Sequence, residues 1–403
     1  MKTLFIIAWR NCWRNKLRSL IVISAIFLGI WSSIFLMGFS KGFVNQRVDK
    51  MVQLQIGDIQ IHSKTFDFDN DISNTIQNKE ALLINLNANT SVEIYSERFI
   101  SEASAVTAHG QNGIKIIGVN PENETKVLGL STRMSEGTFL DSKLAYPIVV
   151  GEKLAEELHL KLNSKVQLNF TNPNTSQISK TFKVCGIYNI GDDVFEGYNV
   201  FVPLSKIEKL TGEHLIHEIV IKTSEDPNST AIALQAQNPS HQIQSWGKRN
   251  PEIAYMIEMM DTTLFILMSI IVFALLFGII NTLTMSILER KREIGVMLAI
   301  GMNKYRIRGM IMFESLIYGL IGAPVGVFLG YLTMMYYGNY GFDLSAFGEG
   351  MKAFGYDPIL YLSLENKYYV IYTIYILVAT FIGGLYPSRI ATRLNPIEAI
   401  RAI

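Results

Sequence analysis

The sequence predicts an α-helical membrane protein with four transmembrane helices and a large extracytoplasmic α+β domain between the first and the second. Three observations carry this. Four apolar stretches, 20–40, 262–288, 311–337 and 368–388, are long enough to cross a hydrocarbon core of ~30 Å and hold almost no charge. Lys and Arg gather in 1–19, 289–310 and 389–403, which the positive-inside rule places in the cytoplasm with both termini. Residues 41–261 show strand and helix patterns bounded by turn residues, as a folded domain does and a linker does not.

In residues 1–19, Lys2, Arg10, Arg14, Lys16 and Arg18 are unopposed by any acid. Leu4, Phe5, Ala8, Trp9, Cys12 and Trp13 can share one helical face. This is the pattern of an interfacial elbow helix on the cytoplasmic surface. The apolar stretch after it is too long for a signal peptide and has no small-residue cleavage site behind it, so it reads as a retained first span.

In the external region, Val52–His62 alternates like a strand pair turning at Gly57-Asp58. Further strands are expected at Lys115–Val119, Ile148–Val150, Val166–Phe170, Phe182–Tyr188, Val200–Val202 and Glu218–Lys222. Helices are expected at Asp71–Leu86, Glu152–Leu158, Leu204–Leu210 and Ser229–Gln237, with a hairpin turn at Asn172–Ser176. Cys12 and Cys185 fall on opposite sides of the membrane in this topology, so no intrachain disulfide is expected.

The second span is uncharged from Thr262 to Leu288, with Asp261 as its expected N-cap. It ends in Glu289, Arg290, Lys291, Arg292 and Glu293, after which Ile294, Met297, Leu298 and Gly301 recur at helical spacing. A short amphipathic helix is expected there, offering a small apolar face to a soluble partner. The third span holds Glu314 as its one acid and a run of small residues, Gly319, Gly322, Gly326 and Gly330, of the kind that lets helices approach closely. Pro324 is expected to bend it and Pro387 to stop the fourth span. The loop 338–367 is acidic and external, and Asn395-Pro396 begins a short helix in the cytoplasmic tail.

Two strings carry a resemblance. Asn281, Thr282, Met285, Ser286, Glu289, Arg290, Arg292, Glu293, Ile294, Gly295, Ala299, Ile300 and Gly301 resemble the segment joining the second and third helices of FtsX/MacB-like ABC transporter permeases, the type VII family. Pro387, Arg389, Ala391, Asn395, Pro396, Glu398, Ala399 and Arg401 resemble that family's C-terminal signature. Strings of the external region, among them IIGVNPENE, PIVVGEKLAEELHLKLNSKV and SWGKRNPEIAYMIEMMD, are similar to the lipoprotein-releasing LolC/LolE permeases. The resemblance covers nearly the whole chain. It implies a MacB-like periplasmic core with a Porter subdomain (about 41–130 and 215–261) and an inserted Sabre subdomain (about 131–214). It implies an ATPase-coupling helix made of Glu293, Ile294, Gly295, Met297, Leu298, Ala299, Ile300, Gly301 and Met302. Implied partners are a LolD-like cytoplasmic ABC ATPase dimer, a second permease copy or sister subunit, a LolA-like periplasmic carrier, lipoprotein cargo and membrane lipid.

Several chemistries are excluded. A net charge of +1 offers no field for nucleic acid. There is no GxxxxGK[ST] phosphate loop, so no ATP hydrolysis is expected in this chain; the resemblance implies a non-catalytic permease subunit without cofactor, with ATP and magnesium bound by a separate partner ATPase. His214 and His217 form HxxH without the glutamate of a metalloprotease, and no metal site or catalytic triad is readable. The expected function is extraction of lipoproteins from the inner membrane. Moving acyl chains into water costs ~0.8 kcal/mol per CH₂, so an apolar cavity is needed, with Phe27, Trp31, Phe35, Phe39, Phe265, Met268 and Phe273 as candidate lining. The alternatives are MacB-like mechanical export of peptides or toxins and FtsX-like signalling to a cell-wall hydrolase.

Overall fold

The computed structural model describes residues 2–66, 72–140, 144–172, 176–353 and 355–395. The chain forms two compact units. One comprises Met1–Val44, Ile257–Phe342 and Leu360–Ile403, and the other Asn45–Met256 with Asp343–Ile359.

Among the described residues, four helices are long and apolar enough to cross a membrane: Lys16–Ile56, Pro251–Glu289, Lys304–Tyr340 and Asn366–Thr392. Each outruns its apolar stretch, because helical hydrogen bonding continues into polar sequence where nothing breaks it. Asp261 is therefore not an N-cap. It lies inside the second helix, which begins at Pro251, and pairs with Lys41 at 2.7 Å. Pro387 does not stop the fourth helix, which runs on to Thr392. Pro324 lies within a helix that is unbroken from Lys304 to Tyr340.

The expected close packing has a specific form. A Cβ added at Gly322, Gly326 or Gly330 would lie 2.7–2.8 Å from side-chain atoms of Ile26, Ile30 and Ile34 respectively. Three glycines spaced i, i+4, i+8 thus meet three isoleucines with the same spacing, as ridges do in grooves. Gly319 faces another way, with its would-be Cβ 2.7 Å from Thr380 Oγ1 on the fourth helix. An elbow helix, Lys2–Arg14, precedes the first long helix. Its Ala8 and Cys12 are buried, while Phe5 and Trp9 of the expected single face are exposed.

The second unit is built on one ten-stranded sheet. Its strands are β1 (Ile59–Ser63), β2 (Val92–Val106), β3 (Gln111–Val119), β4 (Met134–Gly137), β5 (Pro147–Gly151), β6 (Lys165–Thr171), β7 (Gln177–Tyr188), β8 (Asn199–Pro203), β9 (Glu218–Thr223) and β10 (His241–Ser245). The order is β10-β1-β9-β2-β3-β8-β5-β7-β4, and β6 pairs with both β2 and β7. Among the described residues, β3–β8 and β5–β7 are the parallel pairs.

The middle strands read as unbroken apolar runs because both faces are covered. Ile116, Val150 and Val200 enter one core cluster, while their neighbours Ile117, Val149 and Phe201 enter a second. Helices Lys79–Ala88 and Pro227–Gln237 add Leu82, Leu86, Ala231 and Leu234 to the first cluster.

Two further sequence expectations are corrected. Val52–Ile56 is a π turn ending the first long helix, not a strand, and only Ile59–Ser63 enters the sheet. The helix expected over Asp71–Leu86 begins at Lys79, and Asp71 itself is outside the described residues. Within the loop 338–367, Asp343–Ile359 belongs to the sheet-containing unit, where Asp357 pairs with Lys50 at 2.8 Å. Of the Asn172–Ser176 turn, 173–175 are outside the described residues, but β6 and β7 do pair antiparallel up to Thr171 and Gln177. The tail helix from Pro396 onward is also outside them.

Candidate functional site

The segment expected to couple to an ATPase begins where the second long helix stops at Glu289. Arg290 leaves helical geometry (φ −101°, ψ 17°), and a short helix follows over Lys291–Ala299. It ends at Ala299, short of Met302, to which the expected helix extended. Gly301 has φ +87° and its N–H donates to Leu298 O at 3.1 Å, while Met302 N–H donates to Met297 O at 3.0 Å. This pair of bonds is a Schellman motif, which requires the left-handed conformation that glycine tolerates. Asn303 then caps the third long helix by accepting from Tyr305 N–H at 2.9 Å.

The apolar face of this short helix is turned inward. Ile294 is buried with Ile287, Ile307, Met310, Ile311 and Ala391, and Met297, Leu298 and Met302 pack on that cluster. The expectation that Ile294, Met297 and Leu298 offer a face to a partner is therefore corrected, since the burial of Ile294 and the partial burial of Met297 and Leu298 hold the helix on its own bundle. Gly295 is buried as well. What points outward is Arg292, Glu293, Val296, Ala299, Ile300 (76% exposed) and Gly301.

Charge fixes the segment from two sides. Arg290 is buried, and its Nη1 donates to Glu314 Oε2 and its Nε to Glu293 Oε2, each at 3.3 Å. Arg14 of the elbow helix pairs with Glu293 at 2.5 Å, and Arg18 holds Glu289 with both Nη groups. Partial burial works against ionisation of Glu293, but Arg14 and Arg290 hold its carboxyl below the usual range. The motif marked Glu289, Arg290 and Glu293; Arg14 and Arg18 were legible only as unopposed basic residues. Their partners lie some 270 residues away in the chain (|i−j| of 279 and 271), beyond any periodicity.

The candidate cavity residues separate into groups. Trp31, Phe35 and Phe39 form an aromatic column, with Phe342 edge-on to Phe35 and Phe39 at about 6 Å. Trp31 Nε1–H also donates to Thr333 at 3.0 Å. Phe27 is half-buried on the same helix. On the second helix Met268 is buried, Phe265 meets Tyr375 edge-on, and Phe273 is exposed against Phe277. The seven side chains are not brought together within one chain.

His217 is a core histidine: its Nδ1 accepts from Ile100 N–H and its Nε2–H donates to Ile72 O. His214 lies at the surface between Glu97 and Glu208. Both cysteines are free and buried.

Comparison with known proteins covers both units. Residues 19–238, more than half of the chain, match the MacB-like periplasmic core domain, and residues 265–396 match the FtsX-like permease C-terminal domain. The chain is 22% identical to the lipoprotein-releasing system transmembrane protein LolC of Neisseria meningitidis serogroup B, over 95% of this chain and 94% of that protein. It is 22% identical to LolE of Haemophilus influenzae over 99% of each. It is 24% identical to the macrolide export ATP-binding/permease protein MacB of Campylobacter jejuni, over 98% of this chain and 61% of MacB. Among solved structures, the periplasmic region of MacB from Actinobacillus actinomycetemcomitans is similar at 18% identity and a TM-score of 0.35, covering 53% of this chain and 97% of that one.

Proposed function

We propose, from the premise that the chain belongs to the FtsX-like permeases with a MacB-like periplasmic core domain, that this ABC transporter permease extracts lipoproteins from the inner membrane and hands them to a periplasmic carrier. The cargo assignment is supported by similarity along nearly the whole length to LolC and LolE, both lipoprotein-releasing by name. In this reading both termini are cytoplasmic, residues 41–261 are periplasmic, and Porter and Sabre subdomains divide that region as the resemblance implies.

ATP and magnesium are bound by a separate LolD-like ATPase dimer, and this chain is not itself an enzyme. The observation that carries the coupling role is the short helix Lys291–Ala299. Its apolar face and Arg290 hold it on the bundle, leaving Val296, Ala299 and Ile300 outward for a soluble partner. Two permease subunits enclose the cargo. Exposed Phe265 and Phe273 of one second helix would then meet their counterparts or the aromatic column of the partner. An apolar enclosure is what acyl chains require, at ~0.8 kcal/mol per CH₂.

The test is depletion of the protein followed by separation of inner and outer membranes and quantification of lipidated proteins in each. Lipoproteins stranded in the inner membrane are expected. An unchanged distribution removes this cargo and favours the second reading, MacB-like export of peptides or toxins to a LolA-independent route, for which the similarity to MacB speaks.

A further inference from the structure

The helix that carries the first span does not end in a free loop. Its α-helical part stops at Met51, and one π turn, Val52–Ile56, follows, closed by Gly57 N–H donating to Val52 O at 2.8 Å. Single π turns interrupt helices at positions with a special task. Here the turn presents Gln55, a buried residue whose two polar ends go to different places. Its main-chain carbonyl accepts from Arg98 Nη1 at 3.3 Å. Its side-chain amide donates to Asp192 Oδ2 at 3.0 Å.

Arg98 stands in β2 and is 3% exposed. The same Nη1 donates to Glu218 of β9 at 2.7 Å, and Nη2 donates to Glu124 of the helix Pro121–Val127 at 2.5 Å. The second oxygen of Glu218 accepts from His62 Nε2 of β1 at 3.0 Å. One guanidinium therefore ties the helix end to three strands and a helix. A planar fork can satisfy acceptors in several fixed directions, which an ammonium cannot.

On the other side, Asp192 accepts from Arg47 at 2.7 Å and caps the helix Asp193–Tyr198 through Phe195 N–H at 3.1 Å. Arg47 precedes Gln55 on the same helical run, so that run grips Asp192 twice.

We infer that Gln55 and Arg98 are positioning residues forming a joint that ties the end of this helix both to the β1–β9–β2 part of the sheet and to the 189–198 segment. The joint rests on the ATP-driven reading above and deepens it. A displacement of the helix end has two points of purchase, so both parts of the domain follow it. Gln55→Leu removes the Asp192 bond without a change of charge. Arg98→Lys keeps the charge and loses the fork.

The experiment uses the full permease–ATPase complex in lipid nanodiscs, with spin labels at Val194 and Ile232, which are 73% and 60% exposed. Distances between labels on the two permease subunits are measured with and without a non-hydrolysable ATP analogue. In the otherwise unaltered chain the distance distribution is expected to shift with nucleotide. In Gln55→Leu and Arg98→Lys the shift is expected to be lost while ATP hydrolysis and the circular dichroism spectrum persist. Movement lost with hydrolysis retained is uncoupling, which loss of stability does not produce. A folded Gln55→Leu protein that keeps the whole shift overturns the joint alone. An unaltered chain with no shift overturns the joint together with the ATP-driven reading.

Discussion

Arg290 and Glu314 meet inside the helical bundle, with Nη1 of the one 3.3 Å from Oε2 of the other, and the arginine sits at the break between the second long helix and the short helix Lys291–Ala299. Glu314 is thereby partnered by the residue at which the chain changes direction. Removing one member leaves the other buried and uncompensated, at a cost of about 3–5 kcal/mol. Glu314→Ala is expected to lower the melting temperature in detergent sharply. Arg290→Met with Glu314→Met, a volume-conserving apolar pair, is expected to recover much of it. A Glu314→Ala protein as stable as the parent would show that the pair does not hold the segment.

The inward turn of Ile294 separates two kinds of substitution on one short helix. Ile300→Asp and Val296→Asp change exposed positions and are expected to abolish co-purification of the ATPase while leaving the melting temperature unchanged. Ile294→Asp buries a charge without a partner and is expected to destabilise the bundle itself. Full recovery of the ATPase with Ile300→Asp and Val296→Asp combined would move the docking surface elsewhere.

Gly326 lies against Ile30 so closely that a methyl group there has no room, with Phe27 O and Ile30 Cβ 2.7 and 2.8 Å from its would-be Cβ. Gly326→Leu is expected to cost at least the ~1–3 kcal/mol of overpacking and to reduce the yield of folded protein. Gly278, with open space at its would-be Cβ, is the control: Gly278→Ala is expected to be tolerated. Thermal unfolding of both in the same detergent decides it.

Glu218 is desolvated, which opposes ionisation, yet Arg98 and then His62 lower its pKa to about 2. A carboxyl whose folded pKa lies below its unfolded value contributes stability that is present above the unfolded pKa, near 4.5, and is lost as pH falls toward 2. The contribution is on the order of 3 kcal/mol. In Arg98→Met the same burial acts without the cation, so the folded pKa rises and the sign reverses: that protein is expected to gain stability as pH falls from 7 toward 5. Urea unfolding followed by circular dichroism across this range distinguishes the two slopes.

Ser176 and Asn303 are exposed, and the native cysteines are buried, so single cysteines introduced at these two positions report orientation against a low background. A membrane-impermeant thiol reagent is expected to reach Ser176→Cys from the periplasm of cells with a permeabilised outer membrane, and Asn303→Cys only after the inner membrane is opened. The opposite pattern would invert the proposed topology.

How much of this was legible in the chain follows the range of the forces involved. The four long helices were readable because uncharged runs such as Thr262–Leu288 need no partner to declare themselves. Strands β5 and β8 were readable because both faces are apolar. β2 was missed, although it is 15 residues long and central to the sheet, because Glu93, Ser96, Glu97, Arg98, Ser101 and Glu102 break every apolar period. Those polar residues are tolerated there because partners from β9 and the helix Pro121–Val127 neutralise Arg98, and no local pattern announces such partners.

The segment Glu289–Asn303 shows the same division. By itself the sequence determined that a charged break follows the second span and that a short helix comes next, since charge and hydropathy act over a few residues; that the helix stops at Ala299, before the left-handed Gly301, came from the structure. Only the tertiary structure decided that Ile294 faces inward and Ile300 outward, that Arg290 belongs to Glu314, that Gly322 and Gly319 serve different neighbours, and that Gln55 bridges Arg98 and Asp192. Amphipathic spacing says that a helix has two faces but not which neighbour covers one. Ion pairs between residues far apart in sequence form only once packing has brought them within hydrogen-bonding distance and removed the water between them.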